Sequence, residues 1–562
     1  MVDVRFGTLP PHFQAPRYTT EYASPTGSSY SCDDFSFWDT RRAMEITYLG
    51  HAGFLLETER AIFVTDPWMS PEGAFDSAWF QFPCNHHLGP VLREKLEQSA
   101  KPVFVYISHE HRDHYDPAYL RTLPAHKITF LVPEFHRPLL LDELAKLQPA
   151  GLISGAHGKE IPVPGGTAKL YIDDSGLNRD SAILIKADGA TYLNLNDCKL
   201  YDEAPCIRAQ EGPISILTCQ FSGATWHPTC YDYDRCEYER ISRQKLQGKF
   251  EMVARAIEAV QPEVYVPSAG PVCFLDPALL HLNFETVNIF PRAPQFLDFL
   301  RLRLRSHSLK LVDMMPGDVL RGREWELEAE NQERVLDESF ADYVHSYAGR
   351  YSHLFPDRQL RSGGEDVRLV FEKLKTVLQE KLDAFTLHDR IKVPLYFGFT
   401  DHSAEWLRID FPLRKIERTG EIRERDFYSL HAPSWQVERI LQGAITWEEF
   451  ALTFRMRLNR RPDVYQTLIQ GFLLKEPEDM NWFCSRLVEI EQRRNRLIIE
   501  AGGTRYSIDR YCPHQGADLS QGWLADGRLW TCPRHRWQFA LDKEGQCLTS
   551  NASINAVCLE GE

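Results

Sequence analysis

The sequence predicts a multi-domain chain in three parts: a large α/β unit, a middle α+β unit and a small all-β unit at the C-terminal end. Three observations carry this. The 562 residues exceed what one core accommodates, at roughly 150 residues per domain. Strand-like runs alternate with helical stretches through the first half, and from about Trp482 short β runs separated by Gly-rich turns take over. Between those halves, one long amphipathic helix opens a segment of different texture.

In chain order, residues 1–43 are rich in Pro, Ser, Thr and Tyr without sustained periodicity and read as an extension on a domain surface. From Met44, Glu45–Leu49, Gly53–Glu57, Ala61–Thr65 and Val103–Ile107 are strand-like and Phe250–Val260 is helical, giving an α/β domain over 44–320. The chain is charged and irregular from about 305 to 364, with a joint at Ser362-Gly363-Gly364. Behind the acidic Glu365 and Asp366, Val367, Val370, Phe371, Leu374, Val377, Leu378 and Leu382 follow the i, i+3, i+4, i+7 spacing of one helix face. Pro394–Phe399 and Leu407, Ile409 and Phe411 are strand-like, and Thr446 with Glu449 three residues on is a capping box. These make the α+β unit, 365–475, ahead of an all-β unit over 480–562 that includes the run Arg496–Glu500.

Composition excludes several classes. Hydrophobic residues at 43% and charged residues at 25% are ordinary for a globular protein, so wholesale disorder is excluded. No apolar run reaches the roughly 18 residues of a membrane helix, and the first residues form neither a signal nor a transit peptide. A cytoplasmic protein without a membrane partner is expected. Lys and Arg number 64 against 79 Asp and Glu, a net charge of -15 that disfavours a nucleic-acid partner. Thirteen scattered cysteines are not a secreted disulfide framework.

The strongest chemical signal is Cys512-Pro513-His514, then 17 residues, then Cys532-Pro533-Arg534-His535. Paired Cys and His in short loops can hold structural zinc, but the C-x-H plus C-x-x-H order fits a Rieske [2Fe–2S] centre, with two thiolates on one iron and two imidazoles on the other. Tyr511, Trp537 and Phe539 resemble the flanks of that pattern, while Arg536 stands where Gly is usual. Gln515, Gly516 and Arg534 leave no cysteine pair for the extra disulfide of high-potential respiratory Rieske proteins. The unit therefore resembles the ferredoxin and oxygenase branch, which delivers single electrons.

The second signal is His109-Glu110-His111-Arg112-Asp113-His114, directly after the strand ending near Ser108. Three imidazoles and a carboxylate at a strand end match divalent-metal ligands. The H-x-H-x-D-H pattern is the signature of the metallo-β-lactamase fold, an αββα sandwich. Asp66 and the Leu49–Gly53 run sit where such domains begin, and Asp197 stands in the place of the bridging aspartate. A dinuclear zinc hydrolase would supply further histidines near Gly176–Asp180 and Pro267–Gly270, and neither stretch has one. The set His109, His111, Asp113, His114 and Asp197 thus suits one metal better than two, with iron(II) favoured over zinc and a dinuclear centre left open. His51, His86, His87 and His227 are spare ligand candidates, each read first as a packing or outer residue.

A Rieske cluster has no use in ordinary hydrolysis, whereas iron activating O₂ must receive electrons one at a time, so oxygenation is the expected chemistry. No G-x-G-x-x-G motif follows a strand, which implies an external ferredoxin or flavin reductase. The alternatives are a metal-dependent hydrolase with a redox-sensing Rieske domain and a non-catalytic electron-transfer scaffold. About 160 residues part the two motif-bearing units, far beyond a usual connection. Either the middle unit folds the chain back or a homo-oligomer supplies the cluster in trans, and the oligomer is favoured here.

The chain further resembles the CMP-N-acetylneuraminate hydroxylase group, from about Ile46 to Asp313 and again in the middle unit. The resemblance rests on Ser175-Gly176-Leu177-Asn178, on Leu193–Cys198, on Phe221-Ser222-Gly223-Ala224-Thr225-Trp226-His227-Pro228 and on Arg460–Tyr465. It implies a monooxygenase that hydroxylates carbon or nitrogen of a polar small molecule, with Ser222, Gly223 and Ala224 in a loop near the metal pocket. Asn178, Ser222, Gly223 and His227 are the implied substrate residues. In that family the Rieske domain is N-terminal; here it is C-terminal. Residues 365–475 also resemble a sterol-carrier-like fold.

Overall fold

The structure is a computed structural model that describes residues 44–223, 225–305, 308–322, 324–329, 339–355, 366–402, 405–493 and 495–559. The N-terminal extension, Ala224, the Ser362–Gly364 joint and Glu365 lie outside the described residues.

Two sheets face each other. The first runs in the order Glu326–Glu328, Val319–Arg321, Glu45–Gly50, Gly53–Glu57, Ile62–Thr65, Val103–Tyr106, Ile128–Pro133 and Gly151–Gly155. The second runs Lys310–Leu311, Val264–Ser268, Ile216–Gln220, Ala190–Asn194, Arg179–Ala187, Gly166–Asp174 and Glu160–Val163. Phe54, Phe63, Tyr106, Ile183, Ile185, Tyr192 and Val266 fill the space between them. Leu92, Leu96, Leu140 and Leu144, from the helices Leu88–Gln98 and Leu139–Ala145, cover the outer face of the first sheet. Helices Ala204–Glu211, Arg235–Val260 and Ala293–Arg303 cover the second through Ile207, Val253, Ile257 and Phe296. This is the expected αββα sandwich. Val103–Tyr106 is buried at every residue because it lies parallel between Ile62–Thr65 and Ile128–Pro133, with both faces covered.

Further on, helix Val367–Ala384 starts at Asp366, whose side chain accepts from the Arg368 amide. It packs Val370, Phe371, Leu374, Leu378 and Leu382 onto a five-stranded sheet ordered Lys415–Thr419, Trp406–Asp410, Leu395–Phe399, Phe427–Ala432 and Arg457–Arg461. The Thr446/Glu449 capping box starts helix Trp447–Leu452. The core of this region is not its own: Trp68, Phe75, Trp79, Phe274 and Phe290 of the sandwich belong to the same cluster.

The C-terminal region differs from expectation at its start, where Met480–Gln492 is helical and the first strand is Arg496–Ala501. Met480, Phe483, Cys484 and Leu487 lie on one helix face and pack into the core of the preceding region. A three-stranded and a four-stranded sheet follow. Among the described residues no helix is long and apolar enough to cross a membrane.

Candidate functional site

In open α/β sheets, ligands gather beyond the carboxyl ends of parallel strands. Here Ile62–Thr65 leads to Asp66, Val103–Tyr106 to His109 and Ala190–Asn194 to Asp197. Asp66, Asn196 and Ala269 lie at such ends and His51 in the turn between Glu45–Gly50 and Gly53–Glu57, all with positive φ, a conformation non-glycine residues keep only where the surroundings dictate it.

Asp66 organises the first loop. Its carboxylate accepts from the Ser108 amide (2.8 Å) and hydroxyl (2.7 Å) and lies 2.8 Å from His114 Nδ1. That contact engages Nδ1 and leaves His114 Nε2 facing Asp197 Oδ1 at 3.6 Å and Asp113 Oδ2 at 3.7 Å. His51 Nε2 sits 2.9 Å from Asp113 Oδ2. Beside them, His109 Nε2 and His111 Nδ1 face one another at 2.8 Å, and His109 Nδ1 lies 3.3 Å from Asp180 and 4.0 Å from Asp197. The donors form two triads, His51–Asp113–His114 and His109–His111–Asp197, each with its ligand atoms within 4.8 Å of one another.

The donor atoms fit a cation. His114 Nε2, Asp113 Oδ1 and Asp197 Oδ1 are buried without a hydrogen-bond partner, and such atoms are costly to leave unmatched. Burial pushes the Asp180 carboxyl well up, and the neighbouring Asp197 charge adds to it. Two imidazole nitrogens and two carboxylates turned on each other need positive charge between them. Each triad offers the donors of one ion, so the arrangement is compatible with the dinuclear centre that the sequence left open behind a single ion.

Three residues here are not in the sequence-derived set. His51 enters a triad instead of packing outside it; Asp180 stands against His109; and Glu448, from helix Trp447–Leu452, lies 3.5 Å from His111 Nε2. Burial alone would raise Glu448, but Lys475 and His111 hold it well below the usual carboxylate range. Its neighbour Glu449 binds Arg112 Nε at 2.5 Å. The region between the sandwich and the C-terminal unit thus grips the histidine loop directly.

The second centre is built from two tight loops. Cys512 carbonyl accepts from the Gly516 amide (2.9 Å) and Cys532 carbonyl from the Arg536 amide (3.0 Å). Both cysteines are buried. The His514 and His535 rings stand 4.7 Å apart, and His514 stacks on Trp537 at 4.3 Å. Burial, with Lys199 adding, lowers His514 to about 3, and burial also holds His535 well below its ordinary value. Both are therefore neutral, as imidazole ligands must be. His514 Nδ1 is buried without a partner.

Comparison with known proteins agrees with both centres. A model of the Rieske [2Fe-2S] domain matches residues 478–558, and a model of the β-lactamase superfamily domain matches residues 45–170. The chain joins a β-lactamase-superfamily domain to a Rieske [2Fe–2S] domain. A Rieske 2Fe-2S iron-sulfur protein of Mycolicibacterium smegmatis is 28% identical over 533 residues, covering 90% of this chain and 98% of its own. The cytidine monophosphate-N-acetylneuraminic acid hydroxylase of Pongo pygmaeus is 22% identical, covering 82% and 78%. Among solved structures, CmlA, a diiron β-hydroxylase from Streptomyces venezuelae, is 14% identical over 50% of this chain and 55% of its own, with a TM-score of 0.31.

The Rieske domain docks through its ligand loops onto the lactamase-fold domain of the same chain. Arg534, 6% exposed, donates to Asp202 (2.7 and 3.2 Å) and Asp173 (3.1 Å). The Asp518 amide also donates to Asp202 (2.9 Å), and Asn178 Nδ2 donates to Gln515 Oε1 (3.2 Å). Arg536 takes the glycine-like geometry of its position, with φ of 57°, and donates to the Gln244 carbonyl at 2.7 Å. Gly248 allows that approach, since a Cβ there would meet the Arg536 guanidinium at 2.4 Å. Of the two arrangements expected from the sequence, the contacts within the chain are those of a chain that folds back: the helix Met480–Gln492 packs into the preceding region and these polar contacts set the Rieske ligand loops against the sandwich.

The sequence-derived substrate residues scatter. Asn178 sits in the domain contact. Ser222 Oγ is buried without a partner beside Gly270. The Gly223 amide donates to the Ile289 carbonyl. His227 is in neither triad: its Nε2 lies 2.9 Å from Tyr233 Oη and 3.3 Å from Arg460. His86 is bound by Tyr351 and Gln81, a packing role.

Proposed function

We propose that the protein is an iron-dependent oxygenase that hydroxylates a polar small molecule with O₂, drawing electrons from an external ferredoxin or flavin reductase through its Rieske cluster. The observation that carries this reading is the docking of both Rieske ligand loops on the domain that holds the two His/Asp triads. Hydrolysis needs no such contact. The names of the Rieske and hydroxylase relatives support the same class.

His109, His111 and Asp197 would hold one iron and His51, Asp113 and His114 the other, with Asp180 beside the first. Bound there, iron supplies O₂ activation, and the cluster on Cys512, Cys532, His514 and His535 supplies single electrons. Asp66 orients His114 through Nδ1 and so keeps Nε2 turned inward. Glu448 stands 3.5 Å from His111 Nε2 and so biases that ring in the same way, while Nδ1 faces His109. His109, Asp113 and His114 are almost fully buried, which excludes bulk water from the donors.

Purified anaerobically, the protein is expected to contain iron beyond the cluster's own pair, with the spectrum of a mixed Cys/His [2Fe–2S] centre. Zinc in place of that extra iron, with no O₂-dependent product, would favour the hydrolase. Glu448→Gln should weaken iron(II) binding at the triads about 10–100-fold, read by titrating metal-depleted protein, with the cluster spectrum unchanged. His514→Cys, if a cluster assembles, should lower its midpoint potential in redox titration, because thiolate adds negative charge.

A further inference from the structure

Three lysines lie between the two centres without a carboxylate. Lys249, 9% exposed, donates to Tyr201 Oη (3.0 Å) and Gln220 Oε1 (2.6 Å), both neutral. Lys245 sits one turn earlier on the same face of helix Arg235–Val260 and is half-buried, as is Lys199. Among the described residues none of the three has a carboxylate oxygen within 4.0 Å, although ion pairs are frequent elsewhere in the protein.

Their position is fixed from both sides. On one, the Gln220 amide donates to the Asn196 carbonyl (2.7 Å), next to the triad residue Asp197, and Lys199 and Tyr201 follow on that same turn. On the other, Arg536 of the Rieske loop lands on Gln244 and against Gly248, the immediate neighbours of Lys245 and Lys249. The lysines are electrostatically felt at both ends: Lys199 by Asp197 and His514, Lys249 by Asp180 and His535. Burial holds Lys249 down at about 7 and Lys245 at about 8, each worsened by a neighbouring cation. Three lysines gathered between the Asn196–Tyr201 turn and the Arg536 contact, with no carboxylate oxygen within 4.0 Å among the described residues, are the complement of an anion, whose charge would favour their protonated form.

We infer that Lys199, Lys245 and Lys249 form an oxyanion-binding subsite that receives a carboxylate or phosphate group of the substrate between the iron centre and the Rieske cluster. The inference rests on the oxygenase reading and narrows its substrate to an anionic small molecule. Lysine suits such a group as a compact charge with several donors. A bound anion beside His514 and His535 also stabilises the oxidised cluster, so occupancy makes the cluster a stronger reductant.

Calorimetric titration of the holoprotein with inorganic phosphate and, separately, with acetate tests this and tells the two sources apart. One of them should bind saturably and lower the cluster's midpoint potential. Lys249→Met and the half-exposed Lys245→Gln should each weaken that binding about tenfold or more and abolish the potential shift. Binding should persist in His109→Ala protein, which separates the subsite from direct capture of the anion by iron and from failure of the oxygenase reading. Absence of binding by both anions in folded holoprotein, or equal binding by native and Lys245→Gln protein, would overturn the inference.

Discussion

His109→Ala is expected to abolish turnover while leaving the visible spectrum of the [2Fe–2S] cluster intact. His109 carries one donor of a triad, faces His111 at 2.8 Å and lies near Asp180 and Asp197, so its loss removes the nitrogen around which that position is built. The cluster loops are held by their own backbone hydrogen bonds and by Trp537, none of which involves His109. Metal analysis should show the iron at the triads reduced and the cluster iron unchanged. Full activity in this variant would remove the triads from the reaction.

The second large effect is expected at the contact between the domains. In Asp173→Ala/Asp202→Ala protein the buried Arg534 loses both aspartates and keeps only Glu203, 3.5 Å from its Nη2. Breaking a buried charge pair from one side costs about 3–5 kcal/mol, an upper bound while Glu203 remains, so the docking equilibrium constant should fall by up to about 10²–10⁴-fold. Substrate-dependent reoxidation of the cluster should slow accordingly, while both metal centres keep their iron and the cluster its spectrum. Mixing His514→Ala with His109→Ala protein should recover no activity if each cluster serves the triads of its own chain, whereas recovered activity would show transfer between chains.

Much of this was legible in the sequence because ligands close in sequence are close in space. His109, His111, Asp113 and His114 lie within one turn after a strand, and each Rieske loop brings its own Cys and His. What could not be read arrives from elsewhere in the chain. Asp180 carries no local pattern, and His51 lies in the Leu49–Gly53 run, which marks the start of such a domain but not a ligand. Glu448 falls in the helix opened by the Thr446/Glu449 capping box, and only the shared core of the middle region and the sandwich turns that helix towards His111. Arg536 was visible as a departure from glycine, but its use depends on the space at Gly248. The helix Met480–Gln492 has readable i, i+3, i+4, i+7 spacing, overshadowed by the β runs that follow it. Arg534 marked the absence of a disulfide, and its place in the domain contact emerges only with Asp173 and Asp202 beside it.

Stopped-flow absorbance of the anaerobically reduced protein, mixed with O₂, follows the cluster as it gives up its electron. Iron-loaded native protein should reoxidise quickly, at a rate independent of protein concentration, while His109→Ala protein should stay reduced on the same timescale. Equal reoxidation rates in the two proteins, or a native rate that rises in proportion to protein concentration, would contradict electron transfer from the Rieske cluster to the His/Asp triads of its own chain.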